Sequence, residues 1–269
     1  MPVTRYAIVT GAASGLGRAL AVRLARDGWC ISLADVDVVG AAQTLAMVKQ
    51  SGGNGRVDGL DVANADAWRS LVDDLRVTWP RLDLLVNNAG VAIGGQADAL
   101  SLVEWRAVLD VNLWGTIYGC HACMAWLKEN SQQSKILNIG SILGLIPGPM
   151  MGPYSVSKAA VIAFSETLAA ELQPHVGVTV ACPGFFRTQL LARAKFAKQE
   201  VKDYAQEITD RAKIDAAAVA DAALRGVERG DLYVVLPARA RRLWLFKRWF
   251  PTRFMRSLVK THAKLFGSR

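Results

Sequence analysis

Two side chains four residues apart, Tyr154 and Lys158 in the segment YSVSK, carry the first chemistry legible in the chain. On a helix, residues at that spacing share a face. A phenol ordinarily loses its proton near a pKa of about 10. A unit positive charge about 4 Å away contributes about 4 kcal/mol at an effective dielectric of about 20, enough to lower that pKa by roughly 3. Such a pair suits proton transfer at an alcohol or ketone oxygen, which an acid or base must approach to within about 3 Å. Ser141, in NIGS at the end of an apolar run, offers a hydroxyl that could hold the same oxygen. Alone, a Tyr-x-x-x-Lys is more often a surface pair, so its meaning depends on what accompanies it.

Upstream, an apolar run ends in Thr10-Gly11-Ala12-Ala13-Ser14-Gly15-Leu16-Gly17 and a helical pattern follows. Glycines let backbone approach a pyrophosphate, and a helix that begins there presents free N–H groups and the positive end of its dipole. The next apolar run ends at Asp35. A carboxylate at that point can accept hydrogen bonds from both hydroxyls of an adenosine ribose and would repel a 2′-phosphate. No Lys or Arg stands at Ala13, Ser14 or Val36, and Arg18, the nearest cation, is expected to point outward. The pattern predicts NAD in preference to NADP.

Such residues need a frame. Strand patterns fall at Arg5–Thr10, Cys30–Ala34, Gly55–Leu60, Leu82–Val86, Lys135–Ile139, Val176–Ala181 and Leu232–Leu236. Helical patterns fall between them, among them Gly15–Gly28, Ala63–Trp79, Leu102–Glu129, Ser155–Leu172 and Ala216–Arg229. Continuous apolar strands alternating with helices predict one α/β domain over residues 1–236, doubly wound and Rossmann-type. Its mainly parallel seven-stranded sheet would carry helices on both faces, with ligands at the carboxyl ends of the strands near the switch in strand order.

In that order and at that spacing, the chain resembles the short-chain dehydrogenase/reductase family. The matching motifs are the glycine turn at 10–17, Asn87-Asn88-Ala89-Gly90, Asn112 in VNLWG, Ser141 in NIGS, Tyr154 and Lys158 in YSVSK, and PGFFRT at 183–188. The likeness spans roughly residues 5–236. It implies hydride transfer between a nicotinamide cofactor and a secondary alcohol or ketone. Tyr154 would be the acid/base, Lys158 its electrostatic partner and ribose anchor, Ser141 the residue that orients substrate, and Asn112 the holder of a relay water. It also implies cofactor contacts from Gly11, Ser14, Gly15, Leu16, Gly17 and Asp35. Asp61 and Val62 would lie beside the adenine, and Asn87 and Gly90 would support the ribose region, with Asn88 and Ala89 between them. Pro183 and Gly184 would shape the nicotinamide pocket and Thr188 would hold the carboxamide. Asn88 could instead simply tie its strand to the neighbour. The family usually pairs through its long helices, which implies a homodimer or homotetramer.

The segment between Ser141 and Tyr154, ILGLIPGPMMGP, bears no charge. Leu143, Met150 and Met151, with Ser141, Tyr154, Phe185 and Phe186, are candidates for a hydrophobic substrate site, although apolar loops also pack on themselves. Residues 187–215 look like a substrate lid. The alternatives are an NADPH-dependent ketone reductase and a non-catalytic dinucleotide sensor or scaffold.

Composition narrows the remaining classes. The chain is 52% hydrophobic and 20% charged, with 32 Lys and Arg, 23 Asp and Glu, and a net charge of +9. Ten of the cations lie from Arg239 onward without an acidic residue, so the body is nearly neutral. This argues against nucleic acid as a partner. Four cysteines read as reduced core residues, including the Cys120–Cys123 pair, with no metal site. No apolar run reaches 18 residues and no secretory leader pattern opens the sequence, so a cytoplasmic location is expected. The extension at 237–269 is basic, aromatic and amphipathic. At helical spacing Arg253, Arg256, Lys260 and Lys264 share one face, and Phe254, Met255, Leu258, Leu265 and Phe266 the other. Such a helix can lie on an anionic membrane surface, or pack over the cleft or a second subunit.

Overall fold

The computed structural model describes residues 4–130, 133–187, 194–197 and 199–266. Seven parallel strands form the central sheet: β1 (Tyr6–Thr10), β2 (Cys30–Asp35), β3 (Asn54–Gly59), β4 (Leu84–Asn87), β6 (Lys135–Ile139), β7 (Gly177–Pro183) and β9 (Tyr233–Leu236). Their spatial order is β3-β2-β1-β4-β6-β7-β9. A separate two-stranded piece pairs β5 (Ile93–Gly94) with β8 (Lys195–Phe196), which the sequence pattern did not signal because two residues carry no periodicity. The order reverses between β1 and β4, so the loops after these two strands diverge and leave a crevice at the carboxyl edge.

Burial on both faces explains the apolar strands. Ala7, Ile8, Val9, Ile31, Leu33, Leu84, Leu85, Ile136 and Leu137 are all essentially inaccessible. One face packs against α1 (Gly15–Ala25), α2 (Val38–Gln50) and the Ala216–Arg229 helix, and the other against α3 (Ala65–Thr78), α5 (Gly115–Glu129) and α7 (Gly152–Leu172). Helix starts follow local chemistry. The Asn64 carboxamide accepts from the N–H groups of Asp66 and Ala67, which delays α3 to residue 65. Pro153 sits in the first turn of α7, where a missing N–H costs nothing.

The predicted helix over 102–129 is interrupted. It runs as α4 (Leu102–Leu109), a π-helical segment at Asp110–Trp114, and α5. The wider turn holds Asn112 and is the kind of irregularity that recurs at functional sites. Two helices close the chain, Ala238–Trp249 and Pro251–Phe266. Among the described residues, no helix is long and apolar enough to cross a membrane.

Candidate active site

Thr10 ends β1 and ties two strand ends together. Its hydroxyl donates to the Val86 carbonyl and accepts from the N–H groups of Asn88 (2.9 Å) and Ala89 (3.0 Å). The Asn88 carboxamide donates to the Thr10 carbonyl at 2.8 Å. Asn88 thus both braces the strands and borders the crevice. Gly11 has φ of 65°, and a Cβ there would meet the Asn88 amide nitrogen at 2.8 Å. Gly17 is tighter still: a Cβ would fall 2.0 Å from the Gly11 carbonyl oxygen. Gly17 therefore lets α1 close onto the turn.

The crevice, about 290 Å³, is walled by Gly11, Ser14, Gly15, Leu16, Asp35, Asp61, Val62, Asn88, Ala89, Gly90, Tyr154, Lys158 and Pro183. Val36, Leu60, Val91, Ala92, Val111, Ile139, Gly140 and Phe186 complete it. These additional residues were missed because apolar residues at strand ends and in loops resemble any others. Asp35 accepts from the N–H groups of Ala13 and Asp37, both at 2.9 Å, so its carboxylate is fixed at the end of β2. Each oxygen keeps a second acceptor position. Arg18 does not point outward as expected. It folds across to α2, donating to the carbonyls of Ala13 and Gly40 and to Thr44 Oγ1.

Asn87 also departs from expectation. Its amide donates to Asn138 Oδ1 at 2.9 Å and to Cys120 Sγ, beneath the crevice, because alternate residues of a strand face opposite sides of the sheet. Asn138 in turn donates to Ser165 on α7 at 3.0 Å. This buried chain fixes α7 against β4 and β6.

Asn112 holds α7 from the other side. Its side chain accepts from Val91 N–H (2.8 Å) and donates to the Val91 carbonyl and Ser157 Oγ, both at 3.0 Å. Ser157 donates to the Tyr154 carbonyl. Asn112 thereby positions the first turns of α7, where Tyr154 and Lys158 lie.

Lys158 is buried and donates from Nζ to the Ile139 carbonyl at 2.8 Å. Nζ lies 5.8 Å from the centre of the Tyr154 ring. Burial pulls the ammonium down to about 8. Burial pushes the Tyr154 phenol up to about 12, while the Ser141 hydroxyl pulls the other way. The protein groups alone thus leave Tyr154 protonated at neutral pH, whereas the spacing argument expected it to approach neutrality with help from both Lys158 and the cofactor.

Ser141 caps the short helix α6 (Ile142–Leu145), accepting from the Leu143 N–H at 3.1 Å. It opens onto a second cavity of about 280 Å³. All the predicted substrate candidates line this space: Ser141, Leu143, Met150, Met151, Tyr154, Phe185 and Phe186. Met150, on its wall, adopts φ of 65°, a strained backbone for a non-glycine residue. Gly184 borders this cavity beside Pro183. Thr188 lies outside the described residues. From 199–210, Val201, Tyr204, Ala205, Ile208 and Thr209 line the same cavity, and so do Leu258 and Thr261 from the last helix. The two chambers share Ala92, Tyr154, Pro183 and Phe186.

A doubly wound sheet with a glycine turn at its switch point, and a Tyr–Lys helix between a polar crevice and an apolar chamber, defines a dinucleotide-dependent oxidoreductase. The model of the short chain dehydrogenase family matches residues 5–200. The chain is 31% identical to SadH of Mycobacterium tuberculosis over 267 residues, covering 97% of this chain and 96% of SadH. It is 32% identical to 3beta-hydroxysteroid dehydrogenase 1 of Eggerthella lenta over 197 residues, 72% of this chain and 75% of that protein. A short chain dehydrogenase/reductase from Burkholderia phymatum, solved in complex with NAD, superposes with a TM-score of 0.86 at 27% identity, over 91% of this chain and 93% of that one. The chain belongs to the short-chain dehydrogenase/reductase family and is an oxidoreductase acting on CH–OH groups.

Proposed function

We propose that the protein is an NAD-dependent oxidoreductase interconverting a hydrophobic secondary alcohol and its ketone. The observation that carries this reading is the place of Tyr154, whose side chain walls both the crevice and the apolar cavity. A group reacting across that boundary meets the phenol on one side and Ser141 close by.

The residues present fit a dinucleotide. The Gly11 and Gly17 positions leave no room for a Cβ, which makes the turn a backbone cradle for a pyrophosphate at the start of α1. Asp35 stands ready for ribose hydroxyls, Asp61 and Val62 for the adenine, and Asn88, Ala89, Gly90, Lys158 and Pro183 for the nicotinamide half. NAD is favoured because Asp35 carries a fixed negative charge, Val36 is 72% exposed without offering a cation, and Arg18 is committed to α2. The bound cofactor supplies the hydride acceptor or donor and a positive charge beside the phenol.

Within that arrangement Tyr154 exchanges the proton of the substrate oxygen. It gives it during ketone reduction and takes it during alcohol oxidation. Ser141 orients the oxygen, Lys158 favours the phenolate, and Asn112 holds the helix that bears both and a relay water. The apolar lining supports a hydrophobic substrate, and the hydroxysteroid dehydrogenase among the relatives supports an alicyclic one. A homodimer or homotetramer, a cytoplasmic location and peripheral contact of the 237–269 extension with an anionic membrane belong to the same reading. The membrane contact draws support from Trp249, 75% exposed among arginines. It is tested by vesicle sedimentation of the full chain and of a chain ending at Pro237, and equal recovery in the supernatant would remove it.

The direct test is NADH formation over apolar secondary alcohols of graded length. Binding of NAD with no turnover of any alcohol, and no reduction of the matching ketones, would leave a sensor in place of an enzyme.

A further inference from the structure

The C-terminal extension touches the chemistry through its inner surface. Ala240 and Trp244 pack into the apolar cluster of Ile142, Leu145 and Ile162, around the short helix that Ser141 caps. The Trp244 ring lies 5.3 Å from that of Tyr233. Lys247 Nζ donates to the Leu145 carbonyl at 2.6 Å, at the far end of the same helix. After the turn at Pro251, Phe254 is buried with its ring 6.2 Å from Phe246. Leu258 and Thr261 then follow one and two turns along the same face, and both line the cavity that holds Ser141 and Tyr154.

The opposite face has different chemistry. Arg253, Arg256, Val259 and Lys260 are exposed. Cations at that spacing repel one another, so this helix draws its stability from the apolar stripe at 254, 258 and 261. That stripe rests on the rim of the substrate chamber.

We propose that the extension is the far wall of the substrate site and that Leu258 is a specificity-determining residue, meeting the apolar end of the substrate remote from the reacting carbon. The inference rests on the reading of this cavity as the substrate site. The ligand class is an alcohol or ketone with an extended apolar body. A compact polar alcohol would leave the Leu258 end empty and gain nothing from it.

The test uses the full chain loaded with NAD and a series of straight-chain methyl ketones and their alcohols, from about six to about twelve carbons, fitting a chamber of this size. Binding is measured by calorimetry and turnover by NADH absorbance. Leu258→Trp fills the wall and should weaken binding and kcat/KM for the longest members by about tenfold or more, while the shortest change by less than about twofold. Leu258→Ala should move the optimum toward longer chains. Val259→Trp, on the exposed face of the same helix, should leave the whole profile unchanged and control for helix damage. Identical length profiles in wild type, Leu258→Trp and Leu258→Ala would overturn the proposal even if turnover is robust. A length-dependent loss of binding in Leu258→Trp, in a protein that oxidises none of the alcohols, would keep the wall and overturn the alcohol–ketone reading instead.

Discussion

The crevice around the glycine turn and the chamber beyond Tyr154 meet at one side chain but are built from different materials. The crevice is assembled by hydrogen bonds with fixed directions: Thr10 to Asn88 and Ala89, Asp35 to Ala13 and Asp37, Lys158 to Ile139. Its parts come from consecutive strand ends. The chamber is assembled by apolar contact among segments distant in sequence, with Ala92, Met150, Phe185, Ile208 and Leu258 on its walls. Directional bonds hold a constant ligand, the dinucleotide, in one pose. Non-directional packing lets a wall change shape by single substitutions without disturbing the turn.

If that division holds, variants on the boundary, in the crevice and in the chamber should fail in distinct ways. The largest effect belongs to the shared residue. Tyr154→Phe should lower turnover by about 10²- to 10⁴-fold while a fluorescence titration finds NAD affinity within about twofold of wild type. Turnover close to wild type in this variant would move the proton exchange to another group and dissolve the boundary. Because burial holds the proton on Tyr154, pushing the phenol up to about 12, alcohol oxidation should climb with pH through the neutral range while ketone reduction stays flat there, the acid form being fully populated. A pH-independent oxidation rate would speak against the phenol.

A crevice variant should lose the cofactor and spare the chamber. Asp35→Ala removes the carboxylate that accepts from the Ala13 and Asp37 N–H groups and that is proposed to meet the ribose, and should weaken NAD by about 10- to 100-fold. The preference of the wild-type protein is checked by comparing kcat/KM with NAD and NADP, and a clear advantage for NADP would overturn the role given to Asp35.

Lys158→Met tests whether the crevice stores unfavourable energy for function. Burial lowers the folded pKa from 10.5 to about 8, so the folded state pays for the proton it carries at neutral pH. After the loss of the hydrogen bond to Ile139, the variant should be more stable by about 2 kcal/mol in urea denaturation near pH 7, and much less active. A depressed folded pKa on a cation costs stability below the unfolded value, so the gain should shrink above about pH 8 and reverse before 10.5, where only the lost hydrogen bond remains. A variant less stable at every pH would mean that Lys158 is held by favourable contacts alone.

The smallest effect is expected at the chamber's rim. Phe185 is 38% exposed, and Phe185→Ala should raise KM for an apolar alcohol by about three- to fivefold, corresponding to partial loss of apolar burial, with kcat and NAD affinity unchanged. A loss of NAD affinity in this variant would show that the two chambers are not separable.

Legibility in the sequence follows the same division. The alternation of apolar runs with helical stretches was enough for the parallel sheet, since strands buried on both faces must be apolar throughout. The glycines and polar residues that wall the crevice were legible by type, while the directions of Asn87 and Arg18 were not. Their types were right for the region, but their directions depended on the neighbouring helix or the opposite sheet face. The predicted helix at 102–129 carried no sign of the wider turn that seats Asn112, because a π-helical insertion leaves residue types unchanged.

Tyr154, Lys158, Ser141, Asp35 and the glycines were legible in the sequence itself, because their chemistry or their space calls for those types: only glycine has no Cβ to collide at 2.0 Å with a carbonyl. Which apolar residues wall the chamber was decided only in the tertiary structure. The helix at 251–266 could equally have shown its apolar stripe to lipid, to a second chain or to the cavity, and its own pattern is the same in all three. Apolar attraction has no direction, so the choice fell to the docking of Ala240, Trp244 and Phe254, which brings Leu258 and Thr261 over the site.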